Sequence, residues 1–221
     1  PAVSDYWSKT FWLNETPYSR AMSRNRYQQL HRNLHFSNNQ LRIERGQPGY
    51  DPLFKLRPLL DIVVPTYKQH YTPGRDLSID ESMVGFKGRI YFKQYLPAKP
   101  TKWGFKLFVL TDSTTQYCLK FKIYTGKANN EGCVGTTSKV VKDLLDGYGN
   151  KGHVLYCDSF YSGPALFQEL KEMQIGACGT VSDNRKYFPE ALKKKNLKLK
   201  KADKPMFCVT EDKSMLAVTW H

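Results

Sequence analysis

The chain has 221 residues, 40% of them hydrophobic and 14% aromatic, which excludes a largely disordered protein and predicts one or two packed domains. A net charge of +14 favours a polyanionic partner such as nucleic acid, although a basic protein without such a partner would carry the same charge. No stretch approaches the roughly 18 consecutive apolar residues of a membrane span, so we expect no membrane partner.

Residues 1–74 have the pattern of a small helical domain. A first helix is predicted over residues 23–34, with the serine at its start as the cap and apolar side chains on one face. A second helix is predicted over residues 51–67, because an Asp-Pro start signal precedes apolar positions at near-helical spacing. Pro58 and Pro65 should kink or split this second helix.

The pattern becomes strand-like after the turn residues 71–74, which predicts a second domain over residues 75–221. The predicted order is strand, strand, strand, helix, strand, helix, strand, which is typical of an α/β fold with a mixed sheet flanked by helices. A hairpin-like pair of strands follows. The predicted strands cover residues 77–79, 105–110, 117–124, 153–157, 175–181, 206–210 and 214–220, and the helices cover residues 136–145 and 164–173.

Two carboxylates follow apolar strands, Asp80 after residues 77–79 and Asp158 after residues 154–157. If these strands are neighbours, the carboxylates converge, and their oxygen atoms suit Mg²⁺ or Mn²⁺. Two such ions could activate an attacking oxygen and stabilise a leaving oxygen of a phosphodiester. The alternative is that each aspartate only caps a turn, and Asp112, which has the same pattern, is predicted to be such a turn residue.

Cations alternate with aromatic residues over residues 87–106. Lysine and arginine can bind phosphates while aromatic rings pack on sugars or bases, although a basic edge strand kept soluble by its lysines would show the same pattern. The excess of positive charge extends over all of the chain except residues 132–182. The candidate DNA-binding residues are Lys87, Arg89, Lys93, Lys99, Lys102, Lys106 and Arg185.

Three sequence blocks in the same order, residues 78–89, 97–106 and 157–162, closely resemble the core of the piggyBac transposases. Residues 23–36 resemble the helical flank of that family. The resemblance implies an RNase H-like fold in which Asp80 and Asp158 are the first two of three catalytic aspartates that bind Mg²⁺ or Mn²⁺. It also implies a nuclear, dimeric enzyme that cuts double-stranded DNA at transposon ends and inserts at TTAA targets, with residues 1–74 serving DNA binding and dimerisation.

The sequence departs from the piggyBac pattern at its end. The third aspartate of the family would fall after His221, and the family's cysteine-rich zinc module is also not found within these residues. The first residue is proline rather than methionine. We therefore expect a fragment that is incomplete at the C-terminus of its catalytic fold and does not transpose by itself.

Two other functions remain open from the sequence. A domesticated, catalytically inactive derivative would bind DNA or chromatin without cutting it. A metal hydrolase for small phosphate esters would need a closed pocket and would gain little from the positive charge. The presence of both Asp80 and Asp158 favours the enzyme. A protein that only binds DNA has no use for carboxylates that face the phosphates, because they repel the DNA.

Overall fold

The computed structural model describes residues 3–8, 10, 17–126, 136–197 and 203–220. The chain forms two compact units, Pro1–Val63 and Val64–His221. The sheet lies in the second unit and begins at Asp76, close to the start that the sequence predicts. Among the described residues, no helix combines the length and the apolar character that crossing a membrane requires.

The first unit contains two short helices, α1 (Pro17–Ala21) and α2 (Arg24–Arg32). The predicted cap of α2 is confirmed, since the Ser23 side chain accepts a hydrogen bond from the backbone N–H of Arg26. The indole N–H of Trp7 donates to the carbonyl oxygen of Met22, just before α2. These contacts tie the 3₁₀ turn at Val3–Trp7 to the start of α2.

The third helix, α3 (Arg57–His70), begins later than predicted. Asp51 does not start a helix, because its carboxylate accepts hydrogen bonds from the backbone N–H of Leu53 and from the Arg57 guanidinium, and the intervening residues form turns. Pro58 lies in the first turn, where its missing N–H costs no hydrogen bond. The helix also continues past Pro65, so of the two predicted effects, a kink or a split, the split does not occur there.

The second unit is built on a six-stranded mixed sheet. Its strands are β1 (Asp76–Gly85), β2 (Gln94–Tyr95), β3 (Trp103–Asp112), β4 (Cys118–Ile123), β5 (Val154–Cys157) and β6 (Gly176–Gly179). Their order in the sheet is β2-β3-β1-β5-β6, and β4 also pairs with β3. Strands β1, β5 and β6 are parallel, whereas β3 is antiparallel to β1 and β4. This mixed α/β arrangement confirms the predicted RNase H-like fold class.

The helices and the hairpin of this unit lie close to their predicted positions. Two helices, α4 (Thr136–Leu145) and α5 (Pro164–Glu172), precede β5 and β6 respectively. Gly147 has a φ of +83°, a left-handed conformation that suits glycine and ends α4 as predicted. The hairpin consists of β7 (Met206–Val209) and β8 (Leu216–Thr219), which pair with each other in a separate sheet.

Strand β1 is longer than the predicted strand, which stopped at Asp80. It continues to Gly85 because β3 pairs along its length, from Leu77 opposite Asp112 to Gly85 opposite Gly104. The two backbones approach so closely there that a Cβ on Gly104 would lie 2.0 Å from the carbonyl oxygen of Val84. What ends next to Asp80 is the parallel pairing with β5, whose last aligned pair is Ile79 and Cys157.

One face of the sheet forms the hydrophobic core. Alternate residues of β1 and β3, including Leu77, Ile79 and Leu110, are buried there together with Leu155 of β5. Helices α4 and α5 contribute apolar side chains to this core, namely Val140, Val141, Leu144, Leu145, Leu166 and Leu170. Asp80 and Tyr156 alternate with these core positions along β1 and β5 and are exposed.

Candidate metal centre and nucleic-acid interface

The carboxylates of Asp80 and Asp158 converge, as the sequence predicts. Because β1 and β5 are parallel and aligned through Ile79 and Cys157, the next residue of each strand lies at the same level of the sheet. One oxygen atom of each of the two aspartates and of Glu81 lies within 4.8 Å of the others. Among the described residues, this is the one group of three potential ligands at such a distance.

Glu81 is the member of this cluster that sequence reasoning missed. Strand alternation places it on the core face, opposite to Asp80, yet its longer side chain reaches the same region. One carboxylate oxygen of Glu81 lies 3.1 Å from Nζ of Lys106, and the two side chains are only 12% and 14% exposed. The negative charge of Glu81 is therefore compensated by Lys106 in a poorly solvated place. The Asp80 side chain, in contrast, is 69% exposed to solvent.

We expect the Glu81–Lys106 pair to stabilise the unit around the cluster. Glu81→Gln or Lys106→Met alone should lower the free energy of unfolding by about 2–4 kcal/mol, because each leaves a poorly solvated charge without its partner. The double variant should lose much less than the sum of the two. Urea unfolding of the four proteins measures this coupling, and additive losses would show that the two charges do not interact.

Tyr161 lies beneath the carboxylates. Its side chain is buried, and the Glu81 carboxylate is the acceptor that its hydroxyl faces. Burial raises the pKa of Tyr161 well above the usual value, and the negative charges of Glu81, Asp80 and Asp158 raise it further. The phenol therefore stays neutral and can donate a hydrogen bond toward the cluster.

Asp158 is held by the turn that follows β5. Its Oδ1 atom accepts a hydrogen bond from the backbone N–H of Phe160 at 3.0 Å. Arg185 donates from Nη2 to the carbonyl oxygens of Ser159 and Phe160, both at 2.7 Å. Arg185, which the sequence predicts to bind DNA, thus stabilises the turn that carries Asp158. Its contact with DNA stays a prediction.

Asp80 has a basic neighbour from the predicted DNA-binding segment. Nζ of Lys99 lies 3.7 Å from Oδ2 of Asp80 and donates to the carbonyl oxygen of Glu81 at 2.9 Å. The other oxygen, Oδ1, accepts from the backbone N–H of Glu81 at 2.7 Å. A cation already lies beside the carboxylate that the sequence predicts as a metal ligand.

The remaining cations of residues 87–106 differ in exposure. Lys87, Arg89 and Lys102 are exposed and can meet a polyanion directly. Lys93 is half-buried, donates to the carbonyl oxygen of Gly88, and lies 5.6 Å from the centre of the Trp103 ring. Lys106 is occupied by its ion pair with Glu81, so the structure favours a supporting role for it, and its predicted contact with DNA is untested.

Two other aspartates lie in turns, and the turn role of Asp112 is the one that the sequence predicts. Asp112 is buried and accepts hydrogen bonds from the backbone N–H groups of Thr115, Gly74 and Thr114 and from the Tyr71 hydroxyl. These bonds, the one from Thr115 first, hold the pKa of Asp112 at about 2. Asp212 lies in the β7–β8 turn and pairs with Lys171 at 2.7 Å.

The cluster fits a divalent cation by its chemistry. All three potential ligands are carboxylates, which are the oxygen donors that Mg²⁺ and Mn²⁺ prefer. Asp80 is mounted on a strand paired on both sides and Asp158 on a turn braced by Arg185. Such mounts hold ligand atoms in place better than free loops do.

Comparisons with known proteins agree with this architecture. The family model described as Transposase IS4 matches residues 1–220. The chain is 28% identical over 182 residues to the human PiggyBac transposable element-derived protein 3, covering 80% of this chain and 30% of that protein. It is 26% identical over 208 residues to the human PiggyBac transposable element-derived protein 2, covering 91% of this chain and 34% of that protein.

A solved structure is similar over nearly the whole chain. The cryo-EM structure of a piggyBac transposase synaptic complex with hairpin DNA superposes with a TM-score of 0.81 and 29% sequence identity. The match covers 95% of this chain and 43% of that one. The chain thus spans about a third of the length of these human relatives and less than half of that transposase.

Proposed function

The chain belongs to the piggyBac-type Transposase IS4 family, and from this premise we propose that it is part of a DNA transposase that cleaves strands at transposon ends and joins them to TTAA targets. The observation that carries the proposal is the convergence of Asp80, Glu81 and Asp158 within 4.8 Å. Divalent metals are used generally by transposases. We propose Mg²⁺ or Mn²⁺ here, held by Asp80 and Asp158.

The metal, when bound, would activate the attacking oxygen and stabilise the leaving oxygen of the phosphodiester. Asp80 and Asp158 would fix its position from two neighbouring strands, and the Arg185-braced turn would keep Asp158 oriented. Glu81, paired with Lys106, would add negative charge behind the site without leaving its own ion pair. In the complete protein, the third aspartate that the family resemblance implies would complete the two-metal site.

The proposed partner is double-stranded DNA, and the complete protein would act as a homodimer in the nucleus. The net charge of +14 and the exposed Lys87, Arg89 and Lys102 support a polyanionic ligand. The similar solved transposase is described in complex with hairpin DNA. We propose that these side chains bind phosphates rather than read bases, because no base-reading motif is evident in the sequence.

The second candidate is a domesticated protein that binds DNA without cutting it. The human relatives that this chain resembles are named as transposable element-derived proteins. Both aspartates and their close approach favour the enzyme, since carboxylates beside bound phosphates would weaken simple binding. A cleavage assay separates the two candidates, because the enzyme must depend on divalent metal, Asp80 and Asp158, whereas the domesticated protein shows no cutting.

Replacing Arg89, Lys93, Lys99 and Lys102 together by alanine should flatten the salt dependence of duplex binding. Each phosphate contact that is lost should lower the slope of log K against log salt by about 0.9. Fluorescence anisotropy with a labelled duplex at several salt concentrations measures the slope. An unchanged slope would mean that this segment is only a solvated surface, and a wild-type slope near zero would favour a small-substrate hydrolase.

A matched control removes the same number of charges elsewhere in the second unit. Three of its members pair with acids on α4, on α5 and in the β7–β8 turn, and the fourth donates to a backbone carbonyl. Their replacement should change the slope little. The control set is Lys122, Lys142, Lys151 and Lys171.

A further inference from the structure

Lys99 lies at the point where the basic segment meets the acidic cluster. Its ammonium donates to the carbonyl oxygen of Glu81 and lies 3.7 Å from Oδ2 of Asp80. The Lys99 side chain is 34% exposed, so the ammonium is held but still reachable from solvent. It therefore lies beside an oxygen atom that a divalent ion at Asp80 would use.

We propose, on the basis of the function proposed above, that Lys99 is a positioning residue that exchanges between Asp80 and a phosphate of bound DNA. In the free protein, its charge offsets that of Asp80 and opposes the entry of a second cation. A phosphate brought to the site offers the ammonium a stronger partner, because charge-assisted bonds to phosphate oxygens are short and strong. The flexible four-carbon stem allows the move.

The exchange couples metal binding to DNA binding. Once Lys99 has moved to a phosphate, Asp80 can bind the metal without competition, so DNA raises metal affinity and metal raises DNA affinity by the same factor. Phosphate oxygens that bind the metal directly contribute to this factor as well. The move of Lys99 should contribute a factor of about two to five to this coupling, which is the range expected for breaking a partly exposed ion pair.

Mn²⁺ titrations followed by electron paramagnetic resonance test the exchange, with and without a short duplex oligonucleotide. Lys99→Met should bind Mn²⁺ about two- to fivefold more tightly than the wild type without DNA, and its gain in affinity on adding DNA should be smaller by the same factor. Lys99→Arg should keep the wild-type coupling, because it keeps the charge. Asp80→Asn supplies the baseline without the site.

Lys102→Met is the matched control, since Lys102 is exposed and forms none of the ion pairs seen among the described residues. It should weaken DNA binding yet leave Mn²⁺ affinity and its coupling to DNA unchanged. Equal coupling in wild type and Lys99→Met, with binding still lost in Asp80→Asn, would overturn the exchange and leave the proposed function standing. Weaker Mn²⁺ binding by Lys99→Met would also overturn it. Unchanged Mn²⁺ binding in Asp80→Asn would overturn the metal site and the proposed function together.

Discussion

Asp80→Asn and Asp158→Asn should each lower metal-dependent strand cleavage at transposon ends by a factor on the order of 10³ or more, because several kcal/mol of transition-state stabilisation depend on metal position. Asparagine keeps the shape of each side chain but removes the charge that holds the ion. The assay uses this chain extended with its natural downstream sequence and follows nicking of a labelled duplex in Mg²⁺. Residues 1–221 span less than half of the similar transposase, and alone they should bind the duplex without specific cleavage.

Asp146→Asn is the control for these variants. Its side chain is 84% exposed just after α4, and it lies 3.9 Å from Lys120 rather than in the acidic cluster. This variant should cleave at the wild-type rate. Cleavage that persists in Asp80→Asn or Asp158→Asn would refute the catalytic assignment, and specific cleavage by residues 1–221 would identify a further acid within them as the third ligand.

The largest stability effect should come from Asp112→Ala. Asp112 is buried and accepts hydrogen bonds from three backbone N–H groups and one hydroxyl, so its removal leaves four donors without this acceptor. The free energy of unfolding should fall by about 3 kcal/mol or more. The carboxylate joins two parts of the sheet, because Gly74 precedes β1 and Thr114 and Thr115 lie in the β3–β4 turn. Its removal should therefore weaken both.

The same carboxylate should contribute to unfolding in acid. Its folded pKa of about 2 lies below the ordinary value of 3.8, so its stabilisation is complete above that value and is lost as the pH falls toward 2. Urea unfolding from pH 7 to pH 2 should therefore show a steeper acid loss for the wild type than for Asp112→Ala. Asp143→Asn, which breaks an exposed pair with Lys122, should cost at most about 1 kcal/mol. Parallel acid curves for wild type and Asp112→Ala would contradict the assigned pKa.

The positions of the two aspartates in the fold could be predicted from the sequence because each follows a local signal. Apolar residues before Asp80 and Asp158 indicate buried strands, and parallel neighbours bring their ends together. Glu81 was missed because alternation along a strand places consecutive side chains on opposite faces. Only the length of its side chain and the position of Lys106 on β3 show that it joins the cluster.

The boundaries that failed depend on partners distant in sequence or on competing local bonds. The second half of β1 is a strand because β3 pairs with it, and that pairing joins residues that are far apart along the chain. Asp51 has the residue type of a helix start, but its side chain bonds to Leu53 and Arg57 and stabilises a turn instead. At these boundaries, the contacts decide the secondary structure more than the intrinsic preferences of the residues for helix or strand do.

The close approach at Gly104 bears on how relatives of this protein can be classified. Any larger residue there would collide with the carbonyl of Val84, so the glycine is required for folding whether or not the protein acts on DNA. A gene copy that natural selection keeps only as a folded scaffold should therefore retain this part of the motif. The same copy is free to accumulate substitutions at the positions of Asp80 and Asp158. In a newly sequenced relative, those two positions should distinguish a catalytically active enzyme from an inactive one. The glycine indicates only that the domain still folds.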